Sequence, residues 1–352
     1  MIRFFILILC LLGVAHAEVF TAVEPFEKIP ADKTVVWSPL FQATWDAMNE
    51  EVGGKLIKVE PKNELMARLD EFVWDARKTM PEGAWKVWSG RQTNAFVSGV
   101  NKQAAVMTGE ESELFSILEE RPESIACFGL LDREVEFNTP FFKSRKEPLQ
   151  FGKGEAKVNY FGVKGELSET YGQDVKVLAF RPVDGSHALE VSCKEGDDKV
   201  IFYMPPEPQD FATACKWLRK WREDYSTSAA SPDTWEDRNL HQGDTVKVPY
   251  VSLEAEGDLA GRLQGSRFYG ISGDPWRISR AEQITKFELH EKGARVRLET
   301  TLSTEPFAMA PPKPVPRNFI YDKPFFVFLW REGAEWPYLG VWVGDDSALV
   351  DF

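Results

Sequence analysis

The spacing of the apolar residues changes along the chain, and this change constrains the fold more than any other feature. In the first third, apolar residues recur every three or four positions, which places them on one face of a helix. Helices are predicted over Trp37–Met48, Glu64–Ala76 and Phe96–Leu118, the last broken at Thr108-Gly109, and again over Phe211–Tyr225. Ser38 and Pro39 mark the first start, since serine caps helices and proline fits their first turn.

Elsewhere the apolar residues alternate with polar ones or form short runs bounded by turn residues, which is typical of strands. Strands are predicted over Ser124–Leu131, Val175–Phe180, Ala188–Cys193, Lys199–Tyr203, Thr245–Leu253, Gln283–His290 and Phe325–Leu329. Asp184-Gly185 and Gly196–Asp198 indicate hairpin turns. Because helices come first and mostly antiparallel strands follow, without regular strand–helix alternation, the sequence predicts a mixed α+β fold.

Residues 1–17 have the layout of a secretory signal peptide. Arg3 precedes an unbroken apolar run over Phe4–Val14, and Ala15-His16-Ala17 has small residues at both positions that a signal peptidase reads. The run is too short for a permanent anchor, and no later segment approaches the roughly 20 apolar residues that a spanning helix needs. We expect a mature chain that begins at Glu18, is secreted or periplasmic, and makes no membrane contact.

The charge balance argues against nucleic-acid binding. The chain has 42 lysines and arginines against 55 aspartates and glutamates, a formal net charge of −13. Phosphate binding needs clustered lysine and arginine, and no such cluster stands out in the sequence. Neither a nucleic acid nor a heparin-like polyanion is therefore expected as a partner.

Three cysteines follow residue 17: Cys127, Cys193 and Cys215. An odd number cannot pair completely within one chain, so one thiol stays free or pairs elsewhere, although the expected compartment permits disulfides. Each cysteine lies in an apolar stretch, and a buried cysteine packs like a small hydrophobic residue. We expect all three to be structural.

No pattern of catalytic or metal-binding residues is evident. His187, His241 and His290 are far apart, and none belongs to a metal-binding motif. The sequence Gly270-Ile-Ser272-Gly273 lacks the second glycine of a nucleophile elbow at the required spacing. The sequence therefore predicts neither an enzyme nor a bound cofactor or metal ion.

The run Phe319–Leu329 matches a known family signature position by position. Its signature residues are Phe319, Tyr321, Asp322, Lys323, Pro324 and Phe325, followed by an apolar strand. This run resembles the C-terminal signature of the serpin superfamily. The resemblance extends in the same order over nearly the whole chain, although the stretch from Asn49 to Phe96 is shorter than in the family.

Other segments carry the same resemblance. Ser38-Pro39 resembles the start of the helix beneath the main sheet, at the region called the shutter. Phe137-Asn-Thr-Pro140-Phe141 resembles the end of a central strand at the region called the breach, with Phe137 in place of the usual tryptophan. The resemblance implies one domain over residues 18–352, with helices packed on a large mixed β-sheet, two smaller sheets, and an exposed reactive-centre loop at about residues 294–318.

The resemblance also implies a mechanical function. In serpins a serine or cysteine peptidase attacks the exposed loop, and the loop then inserts into the main sheet and distorts the acylated peptidase. The hinge that must insert comprises Glu291, Lys292, Gly293, Ala294, Val296, Leu298 and Thr300. By family alignment Ala294, Val296, Leu298, Thr300 and Leu302 face inward, whereas Arg295, Arg297, Glu299 and Thr301 face outward, a period-two pattern typical of a half-buried strand.

Two interpretations follow from this hinge. Inhibitory serpins have small hinge residues, whereas Val296 and Leu298 are bulky, and Thr285 stands where the family usually has histidine. In the first interpretation the loop is expelled at rest and inserts on cleavage, which makes the protein a peptidase inhibitor. In the second the segment around Lys292-Gly293 is a stable hairpin, already inserted or slow to insert, and the protein only binds or scaffolds.

The resemblance places the attacked bond near the middle of the loop. Counting from Gly293 by the usual loop length gives the bond Phe307-Ala308, and aligning Pro311-Pro312 gives Ala308-Met309. A phenylalanine at this position suits a peptidase with a deep apolar pocket, such as a chymotrypsin-like enzyme. We expect a monomer that needs no cofactor.

Overall fold

The computed structural model describes residues 19–54, 56, 58–109, 114–117, 119–144, 146–152, 156–194, 196–228, 238–258, 260–263, 265–270, 273–278, 281–294 and 315–352. Its helices are α1 (Leu40–Glu51), α2 (Glu64–Glu71), α3 (Ala76–Thr79), α4 (Asn94–Thr108), α5 (Phe211–Ser228) and α6 (Ala260–Leu263), with 3₁₀ turns at Gly165–Tyr171 and Asp346–Ala348. The signal peptide predicted over residues 1–17 lies outside the described residues.

Twenty-two strands are described. They are β1 (Phe20–Ala22), β2 (Val35–Trp37), β3 (Lys58–Glu60), β4 (Trp85–Gln92), β5 (Arg121–Leu131), β6 (Val135–Glu136), β7 (Phe142–Lys143), β8 (Leu149–Phe151), β9 (Ala156–Val158), β10 (Tyr160–Val163), β11 (Val175–Arg181), β12 (Ser186–Ser192), β13 (Asp198–Met204), β14 (Thr245–Pro249), β15 (Val251–Asp258), β16 (Arg267–Tyr269), β17 (Pro275–Trp276), β18 (Glu282–Leu289), β19 (Gly293–Ala294), β20 (Asn318–Ile320), β21 (Phe325–Arg331) and β22 (Leu339–Val343). The predicted α+β class is confirmed.

The largest sheet has seven strands in the order β1-β2-β22-β21-β13-β12-β11. It is mixed, because β1 pairs with β2 in parallel and the other neighbours are antiparallel. Its central strand β21 is buried on both faces, which explains its continuous run of apolar residues. Phe325 and Val327 face one core cluster, whereas Phe326 and Phe328 face the other.

Different elements cover the two faces of this sheet. Helix α5 packs on one face through Phe211, Ala214, Cys215 and Leu218, all of which are fully buried. The other face shares its core with the four-stranded sheet β20-β14-β10-β7. The remaining described strands form the pairs β4-β5, β15-β18, β19-β6 and β8-β9 and the three-stranded sheet β17-β16-β3.

The strand predicted over Thr245–Leu253 is wrong as a single element. The chain forms two strands, β14 and β15, and they join different sheets. The break lies at Tyr250, whose N–H donates to the Asn159 carbonyl at 3.0 Å and whose carbonyl accepts from the Val350 N–H at 3.2 Å. Because these bonds bind the Tyr250 backbone to other segments, the chain passes from one sheet to the next at this residue.

The break predicted at Thr108-Gly109 is confirmed, but the described residues after it, 114–117, do not form the second helix that was possible there. Helix α4 ends at Thr108, and Gly109 follows with a φ of +73°, the left-handed conformation that commonly stops a helix. Residues 114–117 are not helical, and the Asn101 amide holds both backbone groups of Phe115 at 2.9 Å. Residues 114–117 therefore lie beside α4 and do not continue it.

Two other predicted helices have different bounds in the structure: the first starts later than predicted, and the second ends earlier. Trp37 belongs to β2, and α1 starts only at Leu40. The predicted helix Glu64–Ala76 is interrupted, because α2 ends at Glu71 and α3 starts at Ala76 after an extended segment. The apolar spacing continues through that segment, so the pattern alone did not reveal the interruption.

Two of the cysteines, Cys193 and Cys215, lie in core clusters, and Cys127 lies on strand β5. Cys193 and Cys215 are buried and Cys127 is half-buried, and none of the three forms a disulfide within the part of the chain that the structure describes. Burial raises the pKa of the Cys127 thiol to about 12, with a further contribution from Glu51, so this thiol is unreactive at neutral pH.

Candidate functional site

The antiparallel strand pairs β4-β5 and β15-β18 flank a deep cleft. In the described part of the chain β5 pairs only with β4, and β18 pairs only with β15, so one edge of each faces the cleft. The cleft has a volume of about 3310 Å³ and is lined by residues of both edge strands. Exposed strand edges present unpaired backbone N–H and C=O groups, so they are ready to bind another strand.

Helix α1 forms the floor of this cleft. Phe41, Thr44, Trp45 and Met48 line it, and the helix passes directly beneath β5 at Gly129. A Cβ at Gly129 would lie 2.6 Å from Thr44 Oγ1, so only glycine allows this approach. Helix α1 therefore closes the cleft from below, and the cleft is open between the edges of β5 and β18.

A tight hairpin stands at the head of the cleft. After β18, His290 and Gly293 bond each other's backbones at 3.0 and 3.2 Å. The chain then enters β19, in which Gly293 pairs with Glu136 and Ala294 with Val135 of β6. The hairpin thus turns the chain away from β18 and starts a new strand beside β6.

Further backbone bonds fix this hairpin to the segment that follows β6. The Phe137 N–H donates to the Lys292 carbonyl at 2.8 Å, and the Phe141 N–H donates to the Glu291 carbonyl at 2.7 Å. The hinge residues Glu291, Lys292 and Gly293 and the breach residue Phe137, which lie about 150 positions apart in the sequence, are therefore brought together.

Gly293 is required by the geometry of this contact. Its φ of +133° is a conformation that side chains rarely adopt. A Cβ at this residue would overlap the Val135 carbonyl oxygen and lie 2.8 Å from the Glu136 Cα.

The Glu291 carboxylate anchors the turn from its other side. Tyr250 donates its hydroxyl to Glu291 Oε2 at 2.6 Å, and the Lys292 N–H donates to His290 Nδ1 at 3.2 Å. Burial raises the pKa of Glu291, but the Tyr250 hydrogen bond, the backbone and the Lys143 charge together hold that pKa below its usual value. Glu291 is therefore an anion that the turn stabilises.

Phe137 lies in an aromatic cluster under the hairpin. Its side chain is fully buried and contacts Phe141 at a ring distance of 5.0 Å and Phe161 at 6.3 Å. Phe141 in turn stacks on Tyr171 at 5.3 Å, and the Tyr171 hydroxyl donates to the Pro140 carbonyl at 2.8 Å. The Phe137 ring fills this site, so a phenylalanine can take the place of the tryptophan that the sequence resemblance leads one to expect here.

Ser38 and Pro39 connect the cleft floor to the seven-stranded sheet. Ser38 is buried and lines the cleft, and its hydroxyl donates to the Tyr338 carbonyl at 2.9 Å. The same oxygen accepts from the Leu40 N–H at 3.2 Å. Pro39, and not Ser38, occupies the cap position, and it makes no side-chain hydrogen bond. Ser38 therefore lies one residue before the cap position that the sequence predicted for it.

The C-terminal signature lies away from the hinge. Phe319, Tyr321 and Phe325 are fully buried between the seven-stranded and four-stranded sheets, and Tyr321 donates its hydroxyl to the Phe202 carbonyl at 3.2 Å. Asp322 accepts a backbone bond from Gly152 at 2.8 Å, Lys323 is exposed, and Pro324 is half-buried. Each fully buried aromatic contributes about 1.5–3 kcal/mol, so the signature stabilises the core and forms no part of the cleft.

The contact that fixes residues 315–317, just before β20, could not be predicted from the sequence. The Arg317 guanidinium donates to the buried Asp244 carboxylate at 2.7 Å, and Asp244 also accepts from the Arg317 N–H at 2.8 Å. Pro316 packs on Gly243, which has a φ of +100°. The paired residues are 73 positions apart, and no local pattern links them.

Several predicted site residues lie outside the described residues. They are the hinge residues Val296, Leu298 and Thr300 and the bond residues Phe307, Ala308 and Met309. Ala294 is described through its backbone, which ends β19. The described residues therefore include the first hinge residues, 291–294, and the last residues, 315–318, of the loop predicted over about 294–318.

No helix among the described residues is long and apolar enough to cross a membrane. No group of three or more histidine, cysteine, aspartate or glutamate side chains among them could hold a metal ion.

The architecture is similar to solved structures of low sequence identity. Human glycosylated kallistatin matches with a TM-score of 0.52 and 13% identity, over 90% of this chain and 92% of that chain. Human thyroxine-binding globulin matches with a TM-score of 0.51 and 12% identity, over 89% of this chain and 92% of that chain. A scan against protein-family models gave no match, and a search of curated proteins gave none either. The structural likeness shows that the chain has the serpin fold.

Proposed function

We propose that this serpin-fold protein inhibits a serine or cysteine peptidase by loop cleavage and strand insertion. One observation carries the proposal: the hairpin after β18 delivers the chain into the head of the cleft, where β19 already pairs with β6. A strand that continued from β19 would run between the facing edges of β5 and β18.

The driving force for such a strand follows from the cleft itself. A strand placed between two unpaired edges forms ladder bonds on both sides, and its inward side chains leave water above α1. An intact loop is tied to the body by β19 at one end and by β20 at the other. Cleavage releases one of these ends, and the acylated peptidase remains attached to the strand that inserts.

The bait bond proposed for this reaction is Phe307-Ala308, or Ala308-Met309 in the alternative alignment. The large apolar side chain of Phe307 favours a chymotrypsin-like partner. The protein would act as a secreted or periplasmic monomer after removal of residues 1–17. Its charge gives no support to a polyanion cofactor, since the formal net charge is −13.

A second candidate function is a non-inhibitory binding or scaffold protein of the same fold. The pairing of β19 with β6 is compatible with this candidate too, because a strand already started in the resting chain need not insert further after cleavage. The bulky inward residues Val296 and Leu298 favour it, since they would slow further insertion. In this alternative the loop is cleaved without trapping the peptidase, or is not cleaved at all.

One experiment separates the two functions. The mature protein is mixed with a chymotrypsin-like peptidase, and the products are run on a denaturing gel. Inhibition predicts a band at the summed mass that survives boiling, and a peptidase whose catalytic serine is replaced by alanine should give no such band. Cleavage between Phe307 and Met309 without the band would favour the scaffold function.

The bait is tested by changing its specificity. Phe307→Arg should move the preference of the protein from chymotrypsin-like to trypsin-like peptidases, because a trypsin-like pocket binds a cation. The control variant is Lys323→Arg, because Lys323 is exposed. Phe319→Arg would not serve as a control, because Phe319 is buried. An unchanged preference of the Phe307 variant would mean that the bait lies elsewhere.

A further inference from the structure

The four-stranded sheet β20-β14-β10-β7 carries positive charge in an acidic protein. Its strands contain Lys143 and Lys247 and no aspartate or glutamate, and Lys164 follows β10 directly. The chain as a whole has a formal net charge of −13. The charge carried by this sheet is therefore opposite in sign to that of the whole chain.

The strand register places Phe142 and Lys247 on the outward face of this sheet. Phe142 pairs with Gly162, and Gly162 pairs with Lys247 on its other side. The neighbours of Lys247 along β14 are fully buried valines, so by strand alternation Lys247 points away from the core. Phe142, in the same row, is 39% exposed.

The ammonium groups on this face lie over aromatic rings. Lys164 Nζ is 4.1 Å from the centre of the Phe142 ring, and Lys247 Nζ is 5.1 Å from the centre of the Tyr160 ring. Neither ammonium group forms a hydrogen bond or an ion pair with another described residue. An exposed contact of a cation with a ring contributes only about 0.5–1 kcal/mol, so both charges remain available to a partner.

The acids beside the sheet do not pair with these lysines. Asp244, directly before β14, is buried and paired with Arg317 at 2.7 Å. The exposed Glu166 and Glu169 belong to the 3₁₀ turn after β10, and neither forms an ion pair with Lys164. The lysines of the sheet are therefore not neutralised by direct contact with an acid of the described residues.

The two attachment points of the proposed loop lie at opposite edges of this sheet. One edge strand is β20, which follows residues 315–317. The other is β7, which directly follows Phe141, and the Phe141 N–H donates to the Glu291 carbonyl of the hinge hairpin. Three strand spacings separate these edges, a distance of about 14 Å. A peptidase held by the loop would therefore stand beside this sheet.

Exposed apolar groups accompany the lysines, since Val315 before β20 is 84% exposed and Phe142 is partly exposed. Apolar side chains bordered by charged ones are typical of protein interfaces. We propose that Phe142, Lys164 and Lys247 form a lysine face that binds an acidic surface of the target peptidase, outside the active site of that peptidase. This inference rests on the proposed function and adds the charge of the surface that the partner presents.

Such a contact would act on the rate of encounter. Lysines at an interface attract an acidic partner over about 10 Å at 0.1 M ionic strength and raise the association rate constant. The net charge of −13 repels the same partner elsewhere, so the lysine face also orients it.

The test measures binding of the full mature chain to a chymotrypsin-like peptidase whose catalytic serine is replaced by alanine. The peptidase is used with its surface lysines succinylated, which makes it acidic, and also unmodified. The double variant Lys164→Glu, Lys247→Glu should lower the association rate constant for the succinylated form about 10-fold at low salt. The difference should shrink in 1 M salt, where the Debye length is about 3 Å. The double glutamine variant, which removes both charges without reversing them, should lose less.

Lys216→Glu, Lys220→Glu is the matched control. Both lysines are exposed on α5, which covers the other face of the seven-stranded sheet, and Lys220 Nζ also lies near a ring, 5.7 Å from the centre of Trp217. This variant has the same net charge as the test variant, and it should keep the wild-type association rate constant within about 2-fold. Equal losses in both variants would overturn the proposal, and so would a wild-type protein that does not bind the succinylated form.

The active, succinylated peptidase judges the proposed function separately. If the band that survives boiling forms equally fast with the wild type and the double glutamate variant, the inhibitor function stands and the lysine face is overturned. If no such band forms but binding of the inactive peptidase still depends on the two lysines, the lysine face is supported and the inhibitor function is not. If the variant loses only self-association of the protein, seen by size-exclusion chromatography, the face binds a second copy and the proposal is overturned.

Discussion

Gly293 lies against the Val135 carbonyl so closely that any side chain at position 293 would overlap that oxygen. The two residues belong to the strands β19 and β6, which pair at the head of the cleft. Because Gly293 is also bonded to His290 across the turn, this single residue joins the hairpin to both sides of the cleft. The conformation of the hinge thus depends on the absence of one side chain.

Replacing Gly293 with alanine tests this dependence. We expect Gly293→Ala to lower the free energy of unfolding by about 1–3 kcal/mol, because the new Cβ adds a clash to an unfavourable φ. Gly185→Ala is the control: Gly185 also has a positive φ, +76°, but a Cβ there would meet nothing within 4 Å. Urea denaturation of both variants gives the comparison, and equal losses would show that the Val135 contact has no effect.

Phe137 is the next residue whose environment makes a definite prediction. Phe137→Ala should lower the free energy of unfolding by about 3–5 kcal/mol, because it leaves a cavity among buried rings. Phe137→Trp should lower it by about 1–3 kcal/mol, because the cluster is already filled. Phe352→Ala, at a ring that is 54% exposed, should change it by no more than about 0.5 kcal/mol. A Trp variant more stable than wild type would mean that this cluster is underpacked.

The regular parts of the fold could be predicted from the sequence. The sequences of the β12-β13 hairpin and of strand β21 have the alternation or the apolar run that their burial requires. Strand β21 is apolar from Phe325 to Trp330 because both its faces are covered. The break at Tyr250 could not be predicted, because the groups that bind its backbone, at Asn159 and Val350, are about 90 and 100 positions away. Local patterns report burial and period, but they do not report which sheet a strand joins.

The same limit applies to the candidate site. The family resemblance pointed to Gly293 and Phe137. In the structure Gly293 belongs to the hairpin after β18, and the Phe137 N–H donates to a carbonyl of that hairpin. The bond between Tyr250 and Glu291 could not be predicted, because the two residues are 41 positions apart and no local pattern links them. The pairing of Arg317 with Asp244 was missed for the same reason.

His187 makes the stability of the fold depend on pH. It is buried beside Phe319 and Tyr321, and its Nε2 has no hydrogen-bond partner among the described residues. Burial lowers the pKa of His187 to about 4, against the smaller opposing effect of its bond to the Gly185 carbonyl. In the unfolded chain the pKa of His187 is near 6.5. Between about pH 4 and pH 6.5 the unfolded chain therefore binds more protons than the folded chain.

The sign of the effect follows from this difference. Stability should fall as the pH drops from about 6.5 towards 4, by on the order of 3 kcal/mol from this residue. His187→Phe, which cannot be protonated, should lose correspondingly less stability over the same interval. Urea denaturation at several pH values measures the difference, and an identical loss in the variant would exclude His187 as its source.

The bulk of the hinge makes the last prediction, which rests on the proposed inhibitor function. By family alignment Val296 and Leu298 would face inward in a strand that passes between β5 and β18, and large side chains would slow this passage because they must be packed above α1. The double variant Val296→Ala, Leu298→Ala should therefore insert faster after loop cleavage, as measured by the time course with which heat-resistant protein appears. The inserted form should be less stable than that of the wild type, because about 0.8 kcal/mol is lost for each buried methylene removed.

The control is Thr301→Ala, at a position that faces outward by family alignment. This variant should change neither the rate nor the final stability by a comparable amount. An unchanged rate in the double variant would mean that a step other than side-chain packing, such as breaking the Tyr250–Glu291 bond, limits insertion.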